Sequence, residues 1–181
     1  MCEVLLTPEE LESGLQALVD ELVRLGVGAK IYLVGGAAMV FHTERERLTD
    51  DVDGLYSPIE AIDNAVAQIA EARRWPTAWL NDAAKMWESH FTTQDDWQLL
   101  IARGEVKIFV AKPALLFAMK LQAGRGTRDL DDVALLFAIC DIPSLEAAIE
   151  VFDKYYPSES IAPKARRFLQ DHFANNPQNE E

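Results

Sequence analysis

The chain has 181 residues, 49% of them hydrophobic and 26% charged, which is an ordinary globular composition and excludes intrinsic disorder and a long coiled coil. At this length roughly two-thirds of the unfolded surface is buried on folding, so one domain, or one domain with a small appendage, has a real core. Thirty acidic residues against 17 basic ones leave a formal net charge of -13, so no whole-surface coat for nucleic acid or an anionic membrane exists, and an anionic ligand has to meet a local basic patch. Cys2 and Cys140 make neither a disulfide framework nor a metal motif, which suits a reducing cytosol. Glu3, Glu9 and Glu10 stand where a leader would be basic and then apolar, and no apolar run nears the ~20 residues that span a bilayer. The expectation is a cytoplasmic protein with no membrane partner.

Thr7-Pro8-Glu9-Glu10 is a helix start, with a hydroxyl cap, proline in the first turn and glutamate completing a capping box. Leu11, Leu15, Leu18, Val19, Leu22 and Leu25 recur at helical spacing until Gly26, which predicts an amphipathic helix over 8–25. Lys30 to Val34 is β-branched and aromatic and runs into Gly35-Gly36, the pattern of a buried strand ending in a glycine turn, with a second helix from Ala37 to His42. Asp51 to Tyr56 is the next strand. A helix follows from Pro58 to about Arg73, ended by Trp75-Pro76.

From Trp79 to Trp97 the pattern is weak, and irregular structure with short helices is expected. Trp97 to Ala102 and Glu105 to Val110 flank Arg103-Gly104, a two-residue connection of the β-hairpin kind. Beyond Lys112-Pro113 the chain is helical, over 113–123, 129–140, 144–155 and 161–174, with breaks at Gly124, Pro143 and Pro157. The fold class expected is α+β: a small mixed β-sheet core with flanking helices over 1–110, a helical C-terminal half packed on it over 111–175, and a frayed tail over 176–181.

The chemistry is concentrated in Gly35-Gly36-Ala37-Ala38 and in Arg47-Leu48-Thr49-Asp50-Asp51-Val52-Asp53. Side chains two apart on a strand share a face, so Asp51 and Asp53 present their carboxylates together and Val52 points the other way. Two neighbouring carboxylates suit magnesium, and a Gly-Gly turn before a helix lets backbone N–H groups approach a triphosphate. Each piece alone has a plainer reading, a tight turn or a solvated strand end. Together, the order strand, Gly-Gly, short helix, Arg-x-Thr-x-Asp-x-Asp resembles the nucleotidyltransferase superfamily related to polymerase beta.

The resemblance continues through Trp79-Leu80-Asn81-Asp82, through the run Lys112-Pro113-Ala114-Leu115-Leu116-Phe117-Ala118-Met119-Lys120, and through Arg125 and Arg128-Asp129-Leu130-Asp131-Asp132. It covers about residues 28 to 138 and is similar to an uncharacterised branch near the abortive-infection and type IV toxin-antitoxin nucleotidyltransferases. What it implies is metal binding (Mg²⁺ or Mn²⁺) by Asp51 and Asp53, and a phosphate-cradling turn at Gly35 and Gly36. Lys120 would be a catalytic cation facing the triphosphate of an NTP, with Arg47, Thr49, Arg125 and Arg128 on the nucleotide. Asp129 and Asp132 match the acidic positions on the helix after that lysine. The acceptor implied is tRNA or a protein hydroxyl, and a cognate antitoxin is an implied partner.

Two departures stand against that pattern. Ala37 occupies the position where many members carry a hydroxyl, so phosphate binding would rest on backbone alone. Neither hairpin strand contains an aspartate that could be the third carboxylate, for which Asp82, Asp132 and Glu105 are candidates, with Asp129 beside them. They favour the alternative of a catalytically inactive member that binds nucleotide or a partner protein.

Between Val106 and Arg128 there is no acidic residue, yet Lys107, Lys112, Lys120, Arg125 and Arg128 all fall there. The stretch reads as a phosphate-facing patch or as cations that pair with Asp129, Asp131 and Asp132, with Arg128 to Asp132 the one pair at four-residue spacing. His42, His90 and His172 have no metal-ligand spacing. Trp75, Trp79, Trp87 and Trp97 read as packing anchors, and Cys140 as core.

Overall fold

The computed structural model of the chain describes residues 5–43, 49, 51–124 and 127–175, with Thr127 and Arg128 followed through their backbone. Arg47, Arg125 and the tail 176–181 lie outside the described residues. The expected capping box opens α1 (Pro8–Arg24): the Glu10 N–H donates to Thr7 Oγ1 at 3.2 Å and the Thr7 N–H donates to Glu10 Oε2 at 2.9 Å. Leu11, Leu15, Leu18, Val19 and Leu22 line its buried face, and each Leu removed from water contributes ~2 kcal/mol.

The fold is α+β. One mixed sheet of five strands has the order β3-β2-β1-β5-β4, built from β1 (Ala29–Val34), β2 (Val52–Ser57), β3 (Leu80–Asn81), β4 (Trp97–Arg103) and β5 (Val106–Ala111). Strand β1 is central, antiparallel to β2 and parallel to β5. Ile31, Leu33, Val52, Ile108 and Val110 are fully buried, whereas Lys30 is exposed and Tyr32 half-buried, so the sheet has one closed face and one more open face. Tyr32 stacks on Phe109 at 5.0 Å and meets Trp97 edge-on at 4.8 Å.

Several boundaries differ from the expectation. The second helix, α2 (Gly35–Met39), spans the glycines and ends at Met39 instead of running from Ala37 to His42, and Gly35 makes the turn out of the strand at φ +68°, which only glycine adopts freely. The hairpin connection is Gly104-Glu105, one residue later than Arg103-Gly104, since Arg103 pairs with Val106 and Gly104 takes φ +56° at the first turn position. Within 79–97 the weak pattern conceals β3, which pairs parallel to β2 and follows the crossover helix α3 (Ile59–Arg73). Trp79, fully buried, donates from its indole N–H to the Val66 carbonyl at 3.2 Å, a packing role.

The chain divides into two compact units, residues 1–86 with 97–111, and residues 87–96 with 112–181. The second contains α4 (Pro113–Ala123), α5 (Thr127–Ile139), α6 (Leu145–Tyr155) and α7 (Pro163–Asn175). Segment 87–96 is tied into it by specific bonds. Ser89 Oγ donates to the Tyr155 carbonyl at 2.6 Å, and Tyr156 OH donates to the Trp87 carbonyl at 2.5 Å. Asp96 accepts from Lys154 Nζ at 2.7 Å and Tyr155 OH at 2.8 Å. The first helix of this unit has no side-chain cap and opens on Pro113, whose missing N–H would have had no intrahelical partner there. Among the described residues no helix is long and apolar enough to cross a membrane.

Candidate active site

The antiparallel register of β1 and β2 places Val34 opposite Asp53. The residue after Val34 therefore turns beside the Asp53 side chain. A Cβ built on Gly35 would stand 2.5 Å from Asp53 Oδ2 and 3.1 Å from Asp53 Cβ, so any side chain at Gly35 collides with the carboxylate as well as meeting an unfavourable positive φ. The glycine turn and the acidic strand are one structure.

Asp51 immediately precedes β2. It and Asp53 are half-buried while Val52 between them is fully buried, the alternation that puts both carboxylates on the face opposite Val52. The backbone of Asp51 is held from two sides. Thr49 Oγ1 donates to the Asp51 carbonyl at 2.7 Å, and the following N–H, of Val52, donates to the Trp79 carbonyl at 2.7 Å. Thr49 is itself buried and bridges to Leu6 through reciprocal backbone bonds. Its hydroxyl thus acts on the backbone of Asp51.

Asn81 is the residue that sequence reasoning missed. It is the register partner of Asp53 on β3, and its Nδ2 donates to Asp51 Oδ2 at 3.3 Å. A two-residue strand carries no periodicity to announce it, and the sequence reading quoted Asn81 within Trp79-Leu80-Asn81-Asp82 without giving it a role. Asp82, the neighbouring acid considered instead, is exposed.

The two carboxylates fit a magnesium ion by donor chemistry. Mg²⁺ takes hard oxygen ligands, keeps several waters and is commonly held by one or two carboxylates together with substrate phosphates. Among the described residues no group of three or more His, Cys, Asp or Glu is placed to hold a metal. Strands β4 and β5 contain no acid.

Lys120 lies in the second unit and is buried, with 8% of its surface exposed. Its Nζ stands 2.6 Å from Asp129 Oδ1 and 2.9 Å from Asp132 Oδ2, also buried. The pairing is made between α4 and α5, so the interval between Lys120 and Asp132, too long for one helical turn, is no obstacle. The basic stretch is not one open patch: Lys107 and Lys112 are exposed and Lys120 is enclosed. The Arg128 side chain lies outside the described residues.

His42, His172 and Cys140 have packing or backbone partners or are partly buried. His42 Nε2 is 2.8 Å from the Ala111 carbonyl, which requires the ring to donate from that nitrogen. His172 stacks on Phe137 at 4.4 Å between ring centres. Burial pushes the Cys140 thiol up to about 11, which makes it a poor nucleophile near neutral pH.

Residues 13–172 match the family described as a nucleotidyltransferase of unknown function, DUF6036. That is most of the chain, both units included, and the chain belongs to this nucleotidyltransferase family. Comparison with curated proteins and with solved structures gave no match.

Proposed function

We propose that the protein is a Mg²⁺-dependent nucleotidyltransferase that moves a nucleoside monophosphate from an NTP to an acceptor hydroxyl, with Asp51 and Asp53 as the metal-holding pair. The observation that carries this reading is the meeting of the Gly35 turn with the Asp53 carboxylate on a strand whose neighbouring acid, Asp51, shares its face. In the reaction, the acceptor oxygen forms a bond to the α-phosphorus and the bond from that phosphorus to the α,β-bridging oxygen breaks. Pyrophosphate leaves with the electron pair, and the acceptor's proton passes to solvent or to a carboxylate of the pair. A bound divalent ion would supply charge stabilisation to the phosphate oxygens and activation of the attacking oxygen.

The protein's own part is positional. Gly35 has no side chain to fend off a phosphate, and with Gly36 it gives a backbone that approaches closely. Asp51 and Asp53 present hard oxygen ligands at the start of one interior strand, and Thr49 pins the first of them through its carbonyl. Lys120 enters as the buried partner of Asp129 and Asp132. The motif resemblance supports Lys120, with Arg47, Arg125 and Arg128, as cations for the triphosphate. The motif resemblance supports tRNA or a protein hydroxyl as acceptor and a toxin role with a cognate antitoxin.

The test is incubation of purified protein with Mg²⁺, each α-labelled NTP and total tRNA or protein extract, beside Asp51→Asn with Asp53→Asn. Label moved by the wild type and not by the folded double variant is the expected result and names the nucleotide and acceptor class. A fully active double variant overturns the assignment. The second reading, a non-catalytic nucleotide-binding member, is favoured by Ala37 and by β4 and β5, which carry no third acid. Calorimetry showing NTP binding with no Mg²⁺ dependence, and no transfer from any NTP, decides for it.

A further inference from the structure

We infer that Asn81 is a positioning residue for Asp51, its side-chain amide holding one carboxylate oxygen so that the carboxyl is set in place before a cation arrives. The inference rests on the reading of Asp51 and Asp53 as the metal-holding pair. Three observations support it.

The orientation of the Asn81 amide is dictated by its surroundings. Its Oδ1 accepts from the Ala83 N–H at 2.9 Å. A backbone N–H only donates, so a flipped amide would set two donors against each other. The Nδ2 is therefore the group turned toward Asp51 Oδ2, at 3.3 Å, and it also donates to the Ala78 carbonyl at 3.5 Å.

The held carboxylate is otherwise lightly engaged. Asn81 is the hydrogen-bond donor to the Asp51 side chain among the described residues, and it meets Oδ2; Oδ1 receives no hydrogen bond there. One oxygen is oriented by the protein and the other is left as a ligand atom. Groups that orient a metal-binding side chain in this way typically govern metal affinity by 10- to 100-fold.

Position 81 also faces the second carboxylate, because Asp53 and Asn81 are register partners across β2 and β3. A third acid there would place three carboxylates together across β2 and β3 in a chain already at net charge -13. An amide orients Asp51 without adding a further negative charge.

The experiment is a Mn²⁺ titration followed by electron paramagnetic resonance on full-length wild type, Asn81→Ser and Asn81→Ala. Serine retains an acceptor near the Ala83 N–H but does not reach Asp51. Both variants are expected to bind Mn²⁺ about 10-fold more weakly than wild type, with the metal-free melting temperature of Asn81→Ser close to that of wild type. Wild-type affinity in both variants overturns the inference while leaving the carboxylate pair intact. No Mn²⁺ binding by wild type overturns the pair and the inference together. Should the variants fail to fold, the metal-free Asn81 side-chain amide resonances decide by NMR: one proton exchange-protected in wild type and released in Asp51→Ala is expected, and no difference between the two proteins overturns the inference.

Discussion

Asp53 and Gly35 occupy each other's space: the carboxylate oxygen lies 2.5 Å from where a Gly35 Cβ would be. Gly35→Ala therefore meets two penalties, a side chain at φ +68° and a clash with a carboxylate that sits on a rigid strand. The expected outcome is a stability loss of ~1 to 3 kcal/mol with loss of most nucleotidyl transfer, because Asp53 has to move. Gly104→Ala is the control. It also has positive φ, 56°, but no atom within 4 Å of its Cβ, so it should cost ~1 kcal/mol and leave transfer unchanged. Denaturant melts and label transfer on both variants check this. Equal transfer by the two variants would separate Gly35 from the site.

This pairing was half legible in the sequence. The period of two that puts Asp51 and Asp53 on one face, and the glycines at a strand end, are local signals, as is the Thr7–Glu10 capping box. Their meeting depends on the β1–β2 register, which no local pattern states. Asn81 was not legible because Leu80-Asn81 is a strand of two residues, too short for periodicity, recruited by a parallel partner after a crossover helix. Asp96 likewise gave no sign: its partners Lys154 and Tyr155 come from a helix far along the chain.

Lys120 was legible in part, since pairing with Asp129 and Asp132 was one of the two readings of the basic stretch. Its partner Asp129 is nine residues on and sits on a different helix, where a rule of three or four residues along one helix does not look. Lys120→Met takes the cation from two carboxylates that are each more than nine-tenths buried. A loss of ~3 to 5 kcal/mol is expected, measured as a lower denaturation midpoint at neutral pH. If Lys120 instead serves the triphosphate alone, the variant will melt like wild type and lose only transfer.

Asp96 predicts a pH dependence. Burial pushes its carboxyl up, but bonds from Lys154 Nζ, the Thr93 N–H, Tyr155 OH and Thr93 Oγ1 outweigh burial and hold it well below the usual carboxylate range. A carboxylate whose folded value is depressed contributes stability that is present above its unfolded value of ~3.9 and is lost as pH falls through the folded value. Asp96→Asn should cost ~2 kcal/mol at pH 7, and the gap between variant and wild type should narrow as pH drops below about 4. Urea melts at pH 7, 5 and 3 check the trend. A gap that stays constant across that range would show that the ionised form is not what these donors select.

Thr49 separates two roles that the sequence left merged. If its hydroxyl touches nucleotide, removing it should raise KM for the NTP and leave stability alone. The bond to the Asp51 carbonyl at 2.7 Å, from a side chain that is almost wholly buried, predicts otherwise. Thr49→Val keeps the shape, loses the donor and leaves that carbonyl short of a partner, at ~1 to 2 kcal/mol. Thr49→Ser keeps the donor and loses one methyl, at ~1 kcal/mol. Transfer should therefore fall at least several-fold in Thr49→Val, mainly in kcat because Asp51 is displaced, and should persist in Thr49→Ser. Steady-state kinetics beside thermal melts distinguish the two roles: a KM effect shared by both variants with unchanged melting would make Thr49 a nucleotide contact, whereas a kcat loss confined to valine makes it the clamp that sets Asp51.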